Sequence, residues 1–276
     1  MAYDKIVDST QLDAAMSYTA NRIRNKTGGT NQIAWDSAKG FGDAVDAISG
    51  GGVSEVDENW KYVTQISFAK ATLPDTFEVT LPDAQTDFSR MFDLATVKHI
   101  ILHSAGKPTS LNTTFYRIGS LYTVTLDFDT SKVTSYNNCF NLAIGAWGRN
   151  FTTINGVLDF TSVTTRANSD AFAANNYLTK VTFAPKTLGV SFNASAIPNI
   201  NDASLLSLLN CLKDRTGEDT LTLTVHDTWK TADTGRLYVS YVKLDADTGL
   251  YVSCEQADEG ATTIAAAITA KNWTIA

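Results

Sequence analysis

Two histidines four residues apart are the first candidates for chemistry in this chain. His99 and His103 lie within the sequence Lys98-His99-Ile100-Ile101-Leu102-His103. On an α-helix this spacing brings two imidazoles together, as a shared metal ion requires, but on a β-strand it separates them by about 13 Å. The alternating apolar residues predict a strand with both histidines on its solvent face. We therefore expect no metal site and no cofactor.

Two Asp-Thr-Gly triplets carry the residue pattern of aspartic proteases. They begin at Asp233 and Asp247. In those enzymes each triplet follows an apolar strand, whereas here Ala232 and Ala246 precede the triplets within polar sequence. Asp and Gly are also the usual residues of tight turns. The sequence therefore predicts two turns rather than a catalytic pair.

No other catalytic motif stands out. The sequence contains neither a Gly-rich phosphate loop followed by Lys-Ser/Thr nor a Gly-x-Ser-x-Gly nucleophile motif. Glycan hydrolysis needs only two facing carboxylates, yet the Asp and Glu residues here are scattered singly among turn residues. We predict a protein without catalytic residues and retain a polysaccharide-degrading enzyme as the least favoured alternative.

Composition and charge restrict the partners. The 276 residues are 43% hydrophobic and 18% charged, which is enough for a hydrophobic core, and the net charge of −7 disfavours nucleic acid and anionic membranes. Cys139, Cys211 and Cys254 are odd in number and widely spaced, which favours reduced thiols. Neither an apolar run of membrane-spanning length nor an N-terminal secretory signal is present. We expect the protein to be made in the cytoplasm. We expect that it does not insert into a membrane.

A short phrase recurs through the middle of the chain and must position any site there. It consists of an apolar residue, two variable residues, an aliphatic residue, one variable residue, and Leu or Phe. Copies occupy 97–102, 121–126 and 178–183. Repeats of this length are typical of solenoids, in which each unit buries its apolar side against the next. A phenylalanine precedes each copy by five or six residues, at Phe92, Phe115 and Phe172.

Further units are less regular. Phe140 falls 25 residues after Phe115 and 32 before Phe172. The long second step predicts an insertion at 141–156, which contains Trp147 and Gly148. The segment 77–81, followed by Phe88, predicts a degenerate first unit, since terminal units of solenoids are commonly atypical.

Alternation along the phrases predicts which side chains face the core. Six residues are predicted to point inward: Ile100, Leu102, Val124, Leu126, Val181 and Phe183. Six others are left on the outer face as the predicted receptor-binding residues: His99, Ile101, Thr123, Thr125, Lys180 and Thr182. The alternative is an ordinary solvated Thr-rich face, because Thr is a good strand former.

Both ends of the chain differ from the middle. Residues 1–49 are predicted to hold helices at 9–26 and 36–48, joined by a glycine-rich linker, 50–59, to the repeat region, 60–197. The narrow apolar stripe of these helices is predicted to anchor the chain or to associate with other copies through Leu12, Met16, Ile23, Phe41 and Val45. Residues 198–276 are predicted to form an α+β cap with a helix at 204–215, a strand at 221–225, a hairpin within 237–254, a helix at 261–271 and a strand at 273–275.

The repeat region resembles the BspA-like leucine-rich repeats. Residues 126–134 read Leu-Asp-Phe-Asp-Thr-Ser-Lys-Val-Thr and are followed by Asn138-Cys139-Phe140, which is similar to the phrase of that family. A weaker echo joins 158–160 to Ala171-Phe172, and the resemblance covers about 77–192. It implies a mostly β fold with α elements: a leucine-rich-repeat-like solenoid between an N-terminal helical anchor and a C-terminal α+β cap.

Both flanks are similar to phage proteins. Residues 204–210, 221–223 and 270–276 are similar to the C-terminal end of repeat proteins encoded by gut phages, and 13–29 to a short N-terminal segment of virion proteins. This resemblance implies a non-enzymatic virion protein of a tail, baseplate or fibre, released on lysis. Its N-terminus would bind other virion proteins. The chain would form a homo-oligomer, with a trimer favoured, and the solenoid would bind a host-surface glycan or protein. The alternative is a bacterial surface adhesin of the same repeat family.

Overall fold

A computed structural model describes residues 66–142, 150–173, 175–231 and 233–276. It is a mixed α/β structure, made mostly of strands with a few short helices. The predicted N-terminal helices and linker lie outside the described residues. So do all the predicted anchor residues, Leu12, Met16, Ile23, Phe41 and Val45.

Five strands form a parallel sheet in which neighbours in space are also successive along the chain. Parallel neighbours need long crossovers, and two very short strands, β4 (Phe140–Asn141) and β6 (Phe172–Ala173), pair with each other in those crossovers. The sheet order is β1-β2-β3-β5-β7. These strands are β1 (Thr76–Leu81), β2 (His99–Ser104), β3 (Thr123–Asp127), β5 (Thr153–Leu158) and β7 (Lys180–Phe183).

The predicted alternation along the strands is confirmed. The side chains predicted to face inward are at most 3% exposed. Burial of one face fixes the register of a sheet, because a shift by one residue would turn every apolar side chain toward water. The confirmed inward residues are Ile100, Leu102, Val124, Leu126, Val181 and Phe183.

The recurring phenylalanines stack on one another behind the sheet. Phe92 lies 5.8 Å from Phe115, which lies 5.3 Å from Phe140, which lies 5.6 Å from Phe172, as measured between ring centroids. The three successive interplanar angles are 10–14°. Phe68 extends the column by a further 5.2 Å contact with Phe92. The spacing seen in the sequence is therefore the spacing of one continuous aromatic column in the core.

Turns of one conformation place each ring in this column. Arg90, Thr113 and Asn138 each stand two residues before a stacked phenylalanine and have φ angles of 53–58°. The left-handed conformation is unfavourable for residues other than Gly and Asn. Here each of these residues donates its N–H to a backbone carbonyl farther along the chain over 2.8–3.1 Å, so the N–H group in the turn has a hydrogen-bond partner. The same backbone bend thus recurs in three units of different sequence.

The predicted insertion at 141–156 is wrong in its second half. Phe151 is buried and lies 6.0 Å from Phe140, and β5 begins at Thr153, so this part of the segment belongs to the sheet. Gly156 has a φ angle of +108° at an irregularity in the pairing of β5 with β7. Glycine adopts this conformation without the steric cost that other residues incur. Trp147 and Gly148 lie outside the described residues.

The C-terminal part contains the predicted α and β elements with changed boundaries. The predicted hairpin is present, but its first strand begins only at residue 241, because 236–239 forms a single helical turn. The helix predicted at 204–215 ends at Cys211, since the next residue is extended and pairs with Leu188. The helices are α1 (Arg166–Ser169), α2 (Asp202–Cys211), α3 (Asp227–Lys230), α4 (Arg236–Val239) and α5 (Ile264–Ala270). The remaining strands are β8 (Phe192–Asn193), β9 (Leu221–Thr224), β10 (Tyr241–Asp245), β11 (Leu250–Ser253), β12 (Thr262–Thr263) and β13 (Trp273–Ile275).

Helix α2 closes the last edge of the five-stranded sheet. Ser204 Oγ accepts a hydrogen bond from Val181 N–H at 3.0 Å, and Ser207 Oγ accepts one from Phe183 N–H at 2.7 Å. These hydroxyls replace the backbone partners that a further strand would provide. An open sheet edge is a template for pairing with other chains. The two serines accept hydrogen bonds from N–H groups of β7 and thereby block the addition of a further strand.

Candidate ligand-binding face

The outer face of the five-stranded sheet carries rows of side chains that run across the strands. Parallel pairing in register aligns residues from successive strands. The first row contains Thr76, His99, Thr123, Thr153 and Lys180. The second row contains Glu78, Ile101, Thr125 and Asn155, and the third contains Thr80, His103 and Asp127. Beyond the irregularity at Gly156, Val157 lies opposite Thr182.

All six residues predicted for receptor binding lie on this outer face. His99, Ile101, Thr123 and Thr125 are half-buried between neighbouring strands, whereas Lys180 and Thr182 on the last strand are exposed. The registers bring four of the six into direct cross-strand pairs, which are His99 with Thr123 and Ile101 with Thr125. The face therefore exists as the alternation predicts, and whether it binds a receptor stays a prediction.

Hydrogen bonds connect the polar side chains of the first two rows. His99 Nδ1 lies 2.9 Å from Thr123 Oγ1. Lys180 Nζ donates to Asn155 Oδ1 at 3.1 Å, and Asn155 Nδ2 donates to Thr125 Oγ1 at 3.2 Å. These contacts join side chains of four neighbouring strands, β2, β3, β5 and β7. A ligand would meet an ordered set of hydroxyl, amide and imidazole groups.

Sequence reasoning missed the most strongly bonded group on the face. His103 Nδ1 lies 2.7 Å from Asp127 Oδ2 on β3, and His103 Nε2 lies 2.8 Å from Glu78 Oε1 on β1. The hydrogen bond to Glu78, followed by that to Asp127, raises the pKa of His103 above its usual 6.5. The signal was available, because the three residues stand 25 and 24 positions apart, which is close to the repeat length.

The charged residues beside the face are also paired. Lys98, next to His99 in the chain, lies 2.7 Å from Asp75, and both side chains are largely exposed. The hydrogen bond and charge of Asp75 raise the pKa of Lys98. Tyr122 is 37% exposed, and its ring lies 5.7 Å from the ring of His99, so an aromatic surface borders the first row. The region is thus polar, with its charges largely paired.

The other candidates from the sequence assemble no reactive centre in the described part of the chain. No group of three or more His, Cys, Asp or Glu side chains there is arranged to hold a metal ion. Asp233 and Asp247 are exposed and lie in turns, as predicted. Cys139 and Cys211 are buried, and burial raises the pKa of both thiols, to about 11 for Cys211, which makes them poor nucleophiles.

A cavity of about 390 Å³ lies in the C-terminal part between α2 and the hairpin. Leu205, Leu206, Tyr241 and Ile264 contribute apolar surface to it. Asp202 at its border pairs with Arg236 over 2.6 Å, so that carboxylate is already engaged. Ser240, Cys254 and Glu255 also line the cavity, but none of the predicted receptor-binding residues does, and the outer face of the sheet remains the better candidate site.

Comparison of the chain with protein-family models, with curated proteins and with solved structures gave no match. Among the residues that the structure describes, no helix is long and apolar enough to cross a membrane.

Proposed function

We propose that this chain is a non-enzymatic structural protein of a phage particle that presents a leucine-rich-repeat-like solenoid for host-surface binding. In this proposal the parallel strands and the aromatic column form the repeating body. The outer face of the sheet is the binding surface, and residues 1–49 attach the protein to the particle as part of a homo-oligomer, with a trimer favoured.

The observation that carries the proposal is the combination of the aromatic column with an ordered outer face. Four stacked rings support strands whose outward side chains are linked by hydrogen bonds from β2 to β7. A rigid element that holds side chains in fixed positions suits recognition, because little conformational entropy is lost when the ligand binds. The absence of a catalytic motif in the sequence agrees with a binding role.

A lysine substitution on the face tests the binding role. Thr125→Lys places a long charged side chain in the middle of the second row, where Thr125 Oγ1 now accepts a hydrogen bond from Asn155. We expect strongly reduced binding of the labelled protein to host cells, measured by flow cytometry. Thr134→Lys is the matched control: Thr134 is exposed on a different segment, and its hydroxyl also makes one hydrogen bond, to Thr109 O at 3.0 Å. Equal binding by both variants, with circular dichroism unchanged, contradicts the assignment of this face.

Particle association requires a separate experiment. Mass spectrometry of purified virions should detect the protein, and deletion of residues 1–50 should leave a folded protein that no longer joins the particle or its own oligomer. Absence of the full-length chain from virions would favour the alternative of a bacterial surface adhesin, whose recognition face would be the same. Release of reducing ends from host polysaccharide would instead support a depolymerase.

A further inference from the structure

His103 occupies the middle of the third row and uses both of its ring nitrogens. Its Nε2 reaches back to Glu78 on β1 and its Nδ1 reaches forward to Asp127 on β3, at 2.8 and 2.7 Å. One imidazole therefore links the side chains of three adjacent strands on the outer face. We call Glu78, His103 and Asp127 the three-strand bridge.

The geometry of the bridge specifies its protonation state. A neutral imidazole has one N–H and one lone pair, whereas the imidazolium has two N–H donors. Both partners here are carboxylates, which only accept hydrogen bonds when ionised. Both contacts are therefore favourable only when His103 is protonated, and loss of the proton leaves a nitrogen lone pair facing a carboxylate oxygen.

No other described charge replaces the proton at this position. On β1 the groups that face His103 are Glu78 and, directly opposite in register, the uncharged Thr80, and on β3 the group is Asp127. Two nearby lysines are already engaged: Lys98 with Asp75, and Lys107 with Asp129, each at 2.7 Å. On β2 itself the other histidine, His99, contacts Thr123 rather than a carboxylate.

The bridge is accessible to solvent. The side chain of His103 is 33% exposed, and those of Glu78 and Asp127 are 61% and 70% exposed. Protons can exchange with water while the protein stays folded, and a ligand lying on the face would cover the same atoms. The protonation state of His103 is therefore part of the surface that a ligand meets.

We propose that His103 makes the outer face proton-sensitive, with a bridged form that favours ligand binding and a deprotonated form that weakens it. Deprotonation breaks one of the two contacts and leaves one carboxylate of Glu78 or Asp127 without a donor from the bridge. A ligand covering that carboxylate would have to remove it from water unpaired, which is costly. This regulation rests on the proposed binding function of the same face.

The sign follows from the direction of the pKa shift. Because the two carboxylates raise the pKa of His103, the bridged form persists to a higher pH than a free histidine would stay charged. Ligand binding should thus be strongest on the acidic side of the His103 titration and decrease as the pH rises through it. The affinity of the proton and that of the ligand are linked, so bound ligand should also raise the titration midpoint of His103.

NMR titration of the full chain tests the bridge without any ligand. The sequence holds only three histidines, His99, His103 and His226, so their ring signals can be assigned by substitution. We expect a His103 midpoint above 6.5, lowered by Glu78→Gln and also by Asp127→Asn. A midpoint at or below 6.5, or one that neither variant lowers, overturns the proposal.

Binding to intact host cells over a pH series tests the consequence for recognition. The wild-type protein should lose binding as the pH passes the His103 midpoint measured by NMR. His103→Gln should remove this dependence, while His226→Gln, a control outside the five-stranded sheet, should keep it. Unchanged pH dependence in His103→Gln refutes the regulation. If the wild-type protein binds at no pH, the proposed function fails, and the NMR result decides separately whether the bridge exists.

Discussion

Substitutions at Phe115 should reveal whether the aromatic column stabilises the protein as a continuous stack. The side chain is fully buried, and its ring lies nearly parallel to those of Phe92 and Phe140, at centroid distances of 5.8 and 5.3 Å. Phe115→Ala removes the whole ring, whereas Phe115→Leu keeps most of the apolar volume and removes mainly the two ring contacts.

The expected magnitudes follow from the burial and from the two contacts. Truncation of a buried Phe to Ala costs about 3–5 kcal/mol, a large part of the roughly 5–15 kcal/mol that stabilises a typical domain. Phe115→Ala is therefore expected to be strongly destabilising, and to abolish folding only if the wild-type stability lies near the lower end of that range. Each aromatic pair contributes about 0.5–1.5 kcal/mol beyond area burial, so loss of two pairs in Phe115→Leu should cost about 1–3 kcal/mol.

A double-mutant cycle isolates the contribution of the ring contacts. Urea unfolding followed by far-UV circular dichroism gives the free energy of unfolding of Phe115→Leu, Phe140→Leu and the double variant. We expect a coupling energy of about 0.5–1.5 kcal/mol for this adjacent pair. The matched control pairs Phe115 with Phe192, which is also buried but packs with other rings, including Phe160 at 5.5 Å. Its coupling should stay within about 0.5 kcal/mol of zero.

Equal coupling in the two cycles would refute the role of the column. The rings would then act only as separate apolar fillers, and the regular spacing of the phenylalanines would have no energetic meaning. A change in the urea dependence of unfolding in any variant would signal loss of two-state behaviour and an altered denatured state. The comparison should therefore use variants that share the wild-type slope.

Three further substitutions test the edge of the sheet, a half-buried lysine and a glycine. Ser207→Ala should lower the free energy of unfolding by about 1–3 kcal/mol because the N–H of Phe183 loses its acceptor; Ser207→Thr, which keeps the hydroxyl, should lose less in the same urea titration. Burial lowers the pKa of Lys271 to about 8 from 10.5, so between these values the unfolded chain holds a proton that the folded protein has released, and stability rises with pH. Between these pH values the urea midpoint of the wild-type protein should rise relative to that of Lys271→Met. If the two midpoints depend on pH in the same way, the lowered pKa of Lys271 is contradicted. Gly156→Ala should cost at least about 1–3 kcal/mol, measured by urea unfolding, because φ is +108° and the added methyl group would collide with the carbonyl oxygen of Leu126; wild-type stability in this variant would contradict the strained conformation.

Sequence reasoning succeeded where burial imposes a strict pattern. Within a strand that has one buried face, every second residue must be apolar, and this alternation gave the inward positions of β2, β3 and β7 correctly. The phenylalanine spacing worked for the same reason, because Phe92, Phe115, Phe140 and Phe172 occupy equivalent positions in consecutive units. Where packing repeats, the sequence repeats with it.

Predictions failed where a local conformation interrupts that pattern. Gly156 stands where the repeated phrase would place Leu or Phe, and the pairing of β5 with β7 is irregular there, so a search for alternation does not find β5. The segment 237–242 alternates like a strand, yet 236–239 forms the one-turn helix α4, which begins after Gly235 and buries only Leu237. Alternation over a few residues cannot distinguish a short strand from a single helical turn.

The three-strand bridge was missed because its partners are distant in sequence and their residue types carry no shared motif. His103 was assigned to the solvent face of its own strand, and Glu78 and Asp127 were not singled out. Only alignment of the repeated units places His103 opposite Asp127 in the third row and Glu78 in the neighbouring second row, since parallel pairing in register brings equivalent positions together. In a repeated parallel sheet, polar residues should therefore be compared across units before they are interpreted singly.

The five-stranded sheet and the parallel pairing on the phenylalanine side end at different elements. This explains why the C-terminal residues pack against both. On the sheet side, β7 meets α2, whose serines satisfy its N–H groups and stop strand addition. On the phenylalanine side the parallel pairing continues, as Leu188 pairs with Leu212, β8 with β9, and β9 with β13. Helix α2 thus borders the sheet at β7, and a parallel strand ladder begins at Leu188. Residues 202–276 complete the hydrogen bonding of both sides, and they belong to the same core as the repeated strands.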